Sequence, residues 1–175
     1  EAGRAVRAMT ESPKAVVSLV NGVAAGVGVS LALGADYVLA KDTASFVLAF
    51  SKIALMPDGG ATALVAASIG RARAMRLALT AEKFGAVDAA AAGLIAEVAT
   101  AENFESRGEE VIALLASRAP RATELTKAAI NAATLDLPAA IGREESGQSE
   151  LLRSQDFREG AAAFAERRPA IFRGH

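Results

Sequence analysis

The sequence predicts an α/β protein, and three of its features lead to this prediction. Short apolar segments of strand length alternate with helical segments through roughly the first hundred residues. Apolar residues at three- and four-residue spacing dominate the remainder, as in amphipathic helices. A turn containing Gly22, Gly26 and Gly28 connects the first strand to the next helix. The chain is therefore expected to combine a mixed core with a helical C-terminal region.

The mixed core is predicted to begin with a charged helix and a buried strand. Residues 1–11 suit a helix, and Ala15 to Val20 form an apolar run of strand length. After the glycine turn, apolar spacing and turn signals predict helix 27–34, strands 36–40 and 45–47, and a turn from Pro57 to Gly60. The same signals then predict helices 61–68 and 71–78, a short helix at 86–91 and a strand from Leu94 to Val98.

The C-terminal region is predicted to be helical throughout. Its amphipathic pattern gives helices over 102–117, 121–133, 137–153 and 155–166. A break is expected between Asn131 and Pro138, because the proline ring disfavours helical geometry at Leu137. Since there is no internal repeat or low-complexity linker, the expected subdivision is a core over residues 1–100 and a helical region over 101–175.

Composition and charge narrow the functional classes. With 175 residues, 52% of them apolar, and a formal net charge of -1, the chain is expected to be globular and to have no nucleic-acid partner. It has no cysteine for a disulfide or a thiolate nucleophile, and a lone His175 cannot build a catalytic triad or a metal site. Acid–base chemistry must therefore come from carboxylates.

Hydropathy and the first residues indicate the compartment and the assembly. The run from Ala15 to Leu33 is the most apolar window, but glycines and polar residues interrupt it, so no membrane span is expected. The charged start at Glu1 is unlike a signal peptide, and we expect a soluble, cytoplasmic protein. A positive mean hydropathy predicts that some surface is hidden by oligomerisation.

The glycine turn carries the strongest functional signal. Its glycines allow the backbone to approach a ligand, and the amides of Val27 and Gly28 lie at a helix start, at the positive end of the dipole. Such amides suit a phosphate or an oxyanion. A dinucleotide fingerprint is disfavoured because Leu31 replaces its third glycine. A purely structural turn stays open as an alternative.

Several motifs, in order along the chain, carry a family resemblance. They are Asn21-Gly22 with Gly26-Val27-Gly28, the segment Phe50-Ser51-Lys52-Ile53-Ala54-Leu55-Met56-Pro57-Asp58-Gly59-Gly60, the turn Ala92-Gly93-Leu94-Ile95, and Phe164-Ala165-Glu166-Arg167-Arg168 near the C-terminus. Through these motifs nearly the whole chain resembles the crotonase (enoyl-CoA hydratase/isomerase) superfamily.

The resemblance implies a fold, an assembly and a substrate class. The fold is the crotonase (ClpP-like) spiral of ββα units with a helical C-terminal region. Family members begin with further strands, so the chain is expected to be N-terminally truncated relative to them. Relatives form homotrimers or hexamers. Their substrates are acyl-CoA thioesters, and because the substrate itself carries the coenzyme A, no separate cofactor and no metal are expected.

The resemblance also assigns the catalytic groups. The backbone amide of Val27 corresponds to the family's oxyanion donor, which stabilises a thioester enolate. Family hydratases use two carboxylates, and the corresponding positions hold Ser30 and Phe50, which disfavours the usual hydration. Asp58 lies where several isomerases and a dehalogenase branch place their acid/base. The segment around Asp58 is especially similar to the ring-oxepin-forming and enoyl-CoA isomerases of phenylacetate-type catabolism.

Further residues are predicted to line the substrate site, namely Gly26, Gly28, Ser30, Phe50, Phe84, Phe172 and Arg173. Phe84 has an alternative interpretation as a core residue. By resemblance, the basic and aromatic tail from Arg167 to Arg173 would hold the CoA nucleotide. Arginines near a helix end also simply complement the helix dipole, and this alternative stays open.

The sequence therefore predicts an acyl-CoA isomerase in which Asp58 takes a proton from the thioester-activated carbon and returns it to another carbon. One alternative is an enoyl-CoA hydratase, a lyase, in which Asp58 alone positions water. Another is a catalytically silent module for acyl-CoA binding or oligomerisation. For Asp58 itself, the competing interpretation is a helix N-cap in the Pro57 to Gly60 turn.

Overall fold

A computed structural model describes residues 1–174 of the chain. His175, which was expected to take no part in a triad or metal site, lies outside the described residues. The first part of the chain forms, in order, α1 (Ala2–Glu11), β1 (Val17–Val20), β2 (Val23–Ala25), α2 (Val27–Leu33), β3 (Tyr37–Lys41), β4 (Ser45–Val47), a 3₁₀-helix (Ala49–Ile53), α3 (Ala61–Thr80), β5 (Phe84–Gly85), α4 (Ala86–Ala91) and β6 (Glu97–Ala99).

The rest of the described chain is helical. It forms α5 (Phe104–Ala116), α6 (Pro120–Thr134), α7 (Leu137–Leu151) and α8 (Gln155–Glu166). The predicted α/β class with a helical C-terminal region is therefore confirmed. The division at residue 100 into two units stays a prediction.

Two small sheets order the strands of the mixed core. In one sheet β3 lies between β1 and β6, and both pairings are parallel. In the other, β4 pairs in parallel with β2 and antiparallel with the two-residue strand β5. Since β1 and β2 belong to different sheets, the chain changes sheets at Asn21 and Gly22, where the glycine turn begins.

Three elements were not predicted, and the conformation of one residue differs from the expectation. Strands β2 and β5 and the 3₁₀-helix have at most five residues each, too few to show a hydrophobic period. The expected break between Asn131 and Pro138 is confirmed, because α6 ends at Thr134 and α7 begins at Leu137. The non-helical geometry expected at Leu137 itself is wrong, because Leu137 is the first residue of α7. Pro138 is tolerated there because the first turn of a helix does not need its N–H.

Residue Gly70 separates two helical stretches that run on from each other in α3. Its φ of 77° and ψ of 160° are not helical, and only glycine adopts this region without strain. The predicted helices 61–68 and 71–78 therefore correspond to the two arms of α3, one on each side of Gly70.

The hydrophobic core lies between the sheets and helices α1, α2, α3 and α7. Its most deeply buried side chains include Val6 of α1, Val29 of α2, Val65 of α3 and Ile141 of α7, none more than 1% exposed. Helix α7 thus contributes to the same core as the strands. Because it packs there, its inner face lies against the Pro57 to Gly60 turn.

A buried lysine attaches α6 to the first part of the chain. Lys127 is 8% exposed, and its Nζ donates to the Met9 carbonyl at 2.7 Å and to Asp36 Oδ2 at 2.8 Å. Asp36 Oδ2 also accepts the N–H of Val16 at 2.8 Å. Asp36 therefore orders the backbone around it while it pairs with a buried cation.

Across residues 1–174, none of the helices has both the length and the apolar character needed to cross a membrane.

Candidate active site

The glycine turn opens α2 and leaves backbone donors exposed for a ligand. Gly26 has a φ of 53°, which favours glycine, and its N–H donates to the Val47 carbonyl at 2.9 Å. Its own carbonyl accepts the N–H of Val29 at 2.9 Å. Among the described residues, no acceptor binds the N–H of Val27 or of Gly28. These two amides lie at the helix start, where intrahelical acceptors are lacking.

Residue Ser30 connects the glycine turn to Asp58. It is fully buried, and its Oγ donates to the Asp58 carbonyl at 2.7 Å. Gly59 fits against it so closely that a Cβ at Gly59 would lie 2.9 Å from Ser30 Cβ. The expectation that Ser30 contacts substrate is therefore corrected, because its hydroxyl is buried and already bonded to the loop. Its contacts hold Asp58 beside α2.

The Asp58 carboxylate is bonded on one oxygen only. Oδ2 accepts from the side-chain Nε2 of Gln148 at 3.2 Å. Oδ1 exposes less than 1 Å² and receives no hydrogen bond from the described residues. A buried acceptor without a donor is unusual in native structures, and a catalytic role is one of the reasons for which such a group is retained. The carboxylate is thus turned inward, with one oxygen available.

The N-cap interpretation of Asp58 is wrong. Helix α3 begins after Gly60, and no side chain of the preceding turn caps it. Glu144, which is 1% exposed, supplies the cap instead: its carboxylate accepts from the N–H of Gly60 at 2.5 Å and from the N–H of Thr62 at 3.0 Å. Thr62 Oγ1 donates to the same carboxylate at 2.5 Å. Because Glu144 of α7 caps α3, the Asp58 side chain is not needed to cap that helix.

Residue Phe50 flanks the glycine turn. It lies in the 3₁₀-helix and is 5% exposed. A Cβ at Gly26 would lie 3.8 Å from Phe50 Cζ, so the ring is in van der Waals contact with the turn. The position that holds a carboxylate in family hydratases therefore presents an aromatic edge. The structure places Phe50 beside Gly26, and Ser30 beside Asp58; that the four residues form one substrate site stays a prediction.

Residue Phe84 packs into the core. It forms β5 opposite Phe46 and packs against the main hydrophobic cluster. Its outer side borders a groove that also contains Arg73, Arg76 and Lys83. Of the two interpretations of Phe84, the core residue is the one that these contacts favour, and the substrate contact stays a prediction.

The predicted basic and aromatic tail follows α8 and folds back against it. The N–H of Arg173 donates to Asp156 Oδ1 at 2.7 Å, and the side chain of Phe172 is half exposed. Arg168 bonds Glu159 with both ends of its guanidinium, at 2.6 and 2.9 Å, and this lowers the pKa of Glu159 to about 2. Arg168, just beyond the end of α8, thus pairs with carboxylates of that helix. Binding of a CoA nucleotide by Phe172 and Arg173 stays a prediction.

One cavity lies away from these residues, and another reaches them. The first, about 710 Å³, is bordered by α6, the end of α2 and the first arm of α3, and none of the predicted site residues lines it. A shallower groove of about 390 Å³ follows β1 and β2 and reaches Gly28. Within residues 1–174, no group of three or more acidic or histidine side chains is arranged to hold a metal ion.

Sequence reasoning missed Glu144 and Gln148. Both lie on the inner face of α7, four positions apart, and reach the Pro57 to Gly60 turn across more than eighty positions of sequence. The only local signal is that they are polar residues on the face that also carries Leu137 and Ile141. That pattern does not identify which loop the face will contact.

Known proteins of one family are similar to this chain. The chain matches a family described as Enoyl-CoA hydratase/isomerase over residues 3–175. It is 44% identical to a "Probable enoyl-CoA hydratase" of Rhodobacter capsulatus, over 97% of this chain and 66% of the relative. It is 42% identical to a "1,2-epoxyphenylacetyl-CoA isomerase" of Escherichia coli, over 97% of this chain and 65% of the relative. The chain thus spans about two thirds of these relatives.

Solved structures show the same fold. An enoyl-CoA hydratase from Mycobacterium avium subsp. paratuberculosis superposes with a TM-score of 0.96 at 54% identity, over 98% of this chain and 70% of the other. An enoyl-CoA hydratase/isomerase from Pseudoalteromonas atlantica superposes with a TM-score of 0.89 at 30% identity, over 96% of this chain and 68% of the other. The predicted spiral fold is therefore confirmed.

Proposed function

Because the chain belongs to the enoyl-CoA hydratase/isomerase family, we propose that it provides the catalytic centre of an acyl-CoA isomerase, with Asp58 as the group that moves the proton. One observation carries the proposal: Asp58 presents a single buried oxygen, to which no described residue donates, on a loop fixed against α2 through Ser30. The free amides of Val27 and Gly28 begin the helix on the other side of Ser30.

The first step removes a proton from the carbon next to the thioester carbonyl. Asp58 Oδ1 forms the new O–H bond as the C–H bond breaks, and the electron pair of that bond delocalises onto the thioester oxygen. The resulting enolate carries negative charge that the Val27 amide stabilises by hydrogen bonding, aided by the positive end of α2. Stabilisation of this charge is what makes the carbon acidic enough for a carboxylate.

The second step returns the same proton to a different carbon. In a 3-enoyl thioester the enolate extends over the double bond, so its far carbon accepts the proton from Asp58. The electron pair on oxygen then re-forms the carbonyl, the double bond moves next to it, and the carboxylate is regenerated. One base that serves both carbons needs no second acid, which agrees with Phe50 and Ser30 at the positions of the two hydratase carboxylates.

Two features of the relatives support a thioester substrate without deciding its acyl group. The Rhodobacter relative is described as a hydratase and the Escherichia relative as an isomerase, at nearly equal identity. Both descriptions name CoA compounds. We include in the proposal that the protein acts as a homotrimer or hexamer and that Phe172 and Arg173 contribute to holding the CoA nucleotide.

The test supplies 3-enoyl-CoA and 2-enoyl-CoA separately to the protein and identifies the products by chromatography. The proposal expects conversion of the 3-enoyl to the 2-enoyl thioester with little 3-hydroxyacyl product. Rapid hydration of 2-enoyl-CoA without isomerisation would overturn it. The Phe50→Glu variant is a useful companion, since a second carboxylate beside the turn should raise the share of hydrated product.

A second candidate, enoyl-CoA hydratase, rests on a specific feature of the Asp58 to Gln148 pair. Both Asp58 Oδ1 and Gln148 Oε1 are buried acceptors that no described residue serves. Two neighbouring acceptors suit the two hydrogens of a water molecule, which would then face the substrate with a lone pair. The product analysis above separates this candidate from the isomerase. Isothermal calorimetry with acyl-CoA separates both from a silent module, which would show no binding heat.

A further inference from the structure

We infer that Gln148 is a positioning residue for Asp58: its side-chain amide occupies Oδ2 and so assigns Oδ1 as the oxygen that exchanges the proton. The inference rests on the proposed function, because it names the atom through which that function acts. It adds a contribution from the helical C-terminal region, where sequence reasoning placed no part of the acid–base chemistry.

Helix α7 is held firmly against the loop that carries Asp58. Glu144 binds the N–H groups of Gly60 and Thr62, one turn before Gln148. Gly147 packs against Met56 so closely that a Cβ there would lie 2.1 Å from Met56 Sδ. The amide of Gln148 therefore approaches Asp58 from a rigid element, which is how a side chain is held in one productive geometry.

The chemistry of the two groups determines the direction of their hydrogen bond. An ionised carboxylate only accepts hydrogen bonds, so the amide nitrogen of Gln148 must face it, as it does at 3.2 Å. A half turn of the carboxylate about its Cβ–Cγ bond exchanges two equivalent oxygens and re-forms this bond, whereas a smaller rotation breaks it. Gln148 thus holds the plane of the carboxylate, and in both steps proton transfer takes place at the oxygen that Gln148 does not bond.

A purely structural role for Gln148 fits the surroundings poorly. Glu144 already joins α7 to the loop through three hydrogen bonds, and Leu137 and Ile141 bury the rest of the face. Gln148 itself is only half-buried, and its Oε1 receives no donor from the described residues. Its one side-chain hydrogen bond is to the proposed base. Loss of that bond should therefore change proton transfer far more than folding.

The first test compares Gln148→Leu with the wild-type protein. Leucine is similar in size but has no donor, so we expect kcat for 3-enoyl-CoA to fall about 10- to 100-fold while KM stays within about twofold. Gln148→Glu, of the same shape but with a like charge facing Asp58, should lose at least as much. The matched control is Gln155→Leu, which makes the same change at an exposed glutamine of α8 and should leave kcat unchanged.

A second readout does not depend on turnover. Carbon-13 NMR of aspartate-labelled protein reports the carboxyl signal of Asp58, assigned by its absence in Asp58→Asn. We expect Gln148→Leu to shift this signal and Gln155→Leu to leave it in place. An unshifted signal, or an unchanged kcat in Gln148→Leu, overturns the inference. Failure of the wild-type protein to isomerise overturns the proposed function instead, and the NMR signal still decides whether Gln148 holds Asp58.

Discussion

The carboxylate of Glu144 caps the first turn of α3 by accepting the N–H of Gly60 at 2.5 Å, although 84 positions separate the two residues. A helix start normally receives its cap from a residue of its own turn. Here α7 supplies it, and the buried Glu144 carboxylate also accepts from the N–H and the hydroxyl of Thr62. The helix that carries Gln148 is thereby fixed to the loop that carries Asp58.

We expect Glu144→Ala to destabilise the protein by about 3 kcal/mol, because it removes three hydrogen bonds and leaves the buried N–H of Gly60 and the N–H of Thr62 without an acceptor. Guanidinium unfolding followed by circular dichroism measures this free energy. The control is Glu145→Ala, at an exposed position next to it, for which we expect a loss of at most about 0.5 kcal/mol. Equal losses in the two variants would contradict the capping role.

Two helix glycines give a second matched pair. A Cβ at Gly160 would lie 2.7 Å from Ile53 Cα, a backbone atom that cannot move aside, whereas a Cβ at Gly142 would meet nothing within 4 Å. Gly160→Ala should therefore push α8 from the 3₁₀-helix and cost about 2 kcal/mol or more. Gly142→Ala should instead stabilise α7 by about 0.5–1 kcal/mol, since alanine favours helix. Thermal unfolding of both variants tests the pair.

The Gly160→Ala variant also tests whether α8 supports the candidate active site. The 3₁₀-helix that Gly160 contacts carries Phe50, which lies against Gly26. A displaced α8 should therefore reduce turnover in Gly160→Ala at temperatures where the protein remains folded. Gly142→Ala is the control and should keep full activity, because a Cβ at this position of α7 displaces nothing. Normal stability of Gly160→Ala would contradict the close approach of α8.

The pH dependence of stability should contain a contribution from Glu97. The hydrogen bonds from Arg107, at 2.7 and 3.0 Å, and then the one from Tyr37 hold the pKa of Glu97 below its ordinary value of 4.5. A carboxyl whose pKa is lower in the folded state stabilises the protein above its unfolded pKa. That stability is lost as the pH falls from about 4.5 through the folded pKa.

We therefore expect Glu97→Gln to lower the unfolding free energy by about 1 kcal/mol near neutral pH, and by progressively less as the pH falls below 4.5. Urea unfolding at a series of pH values gives the profile. Glu110→Gln is the control, because Glu110 binds the same arginine from an exposed position and contributes little there. A constant difference between wild type and Glu97→Gln across the acid range would contradict the account.

Local patterns were sufficient to predict the helices and the glycine turn. Residues Gly26 to Gly28 showed where α2 begins, because a left-handed glycine before an apolar helical stretch is a local property of the chain. The amphipathic spacing gave α5 to α8 within a few residues. Strands β2 and β5 escaped prediction because a strand of two or three residues is defined by its partner, here β4, and not by its own sequence.

The candidate site was predictable only in part, for the same reason. Asp58 and Phe50 were found through family resemblance, and their proximity to Gly26 agrees with the fold. The N-cap alternative for Asp58 could not be decided from the sequence, since the real cap, Glu144, lies on a helix that tertiary packing brings to the loop. Ser30 and Gln148, the residues that orient Asp58, were misassigned or missed because their partner is distant in sequence.

The rate at which Asp58→Asn converts 3-enoyl-CoA to 2-enoyl-CoA tests the central claim most directly. Asparagine keeps the shape of the side chain, and Asp58 does not cap α3, so the variant should unfold at the wild-type temperature. If Asp58 moves the proton, isomerisation falls about 10²- to 10⁴-fold while acyl-CoA still binds. Turnover equal to that of the wild-type protein would show that another group carries the proton.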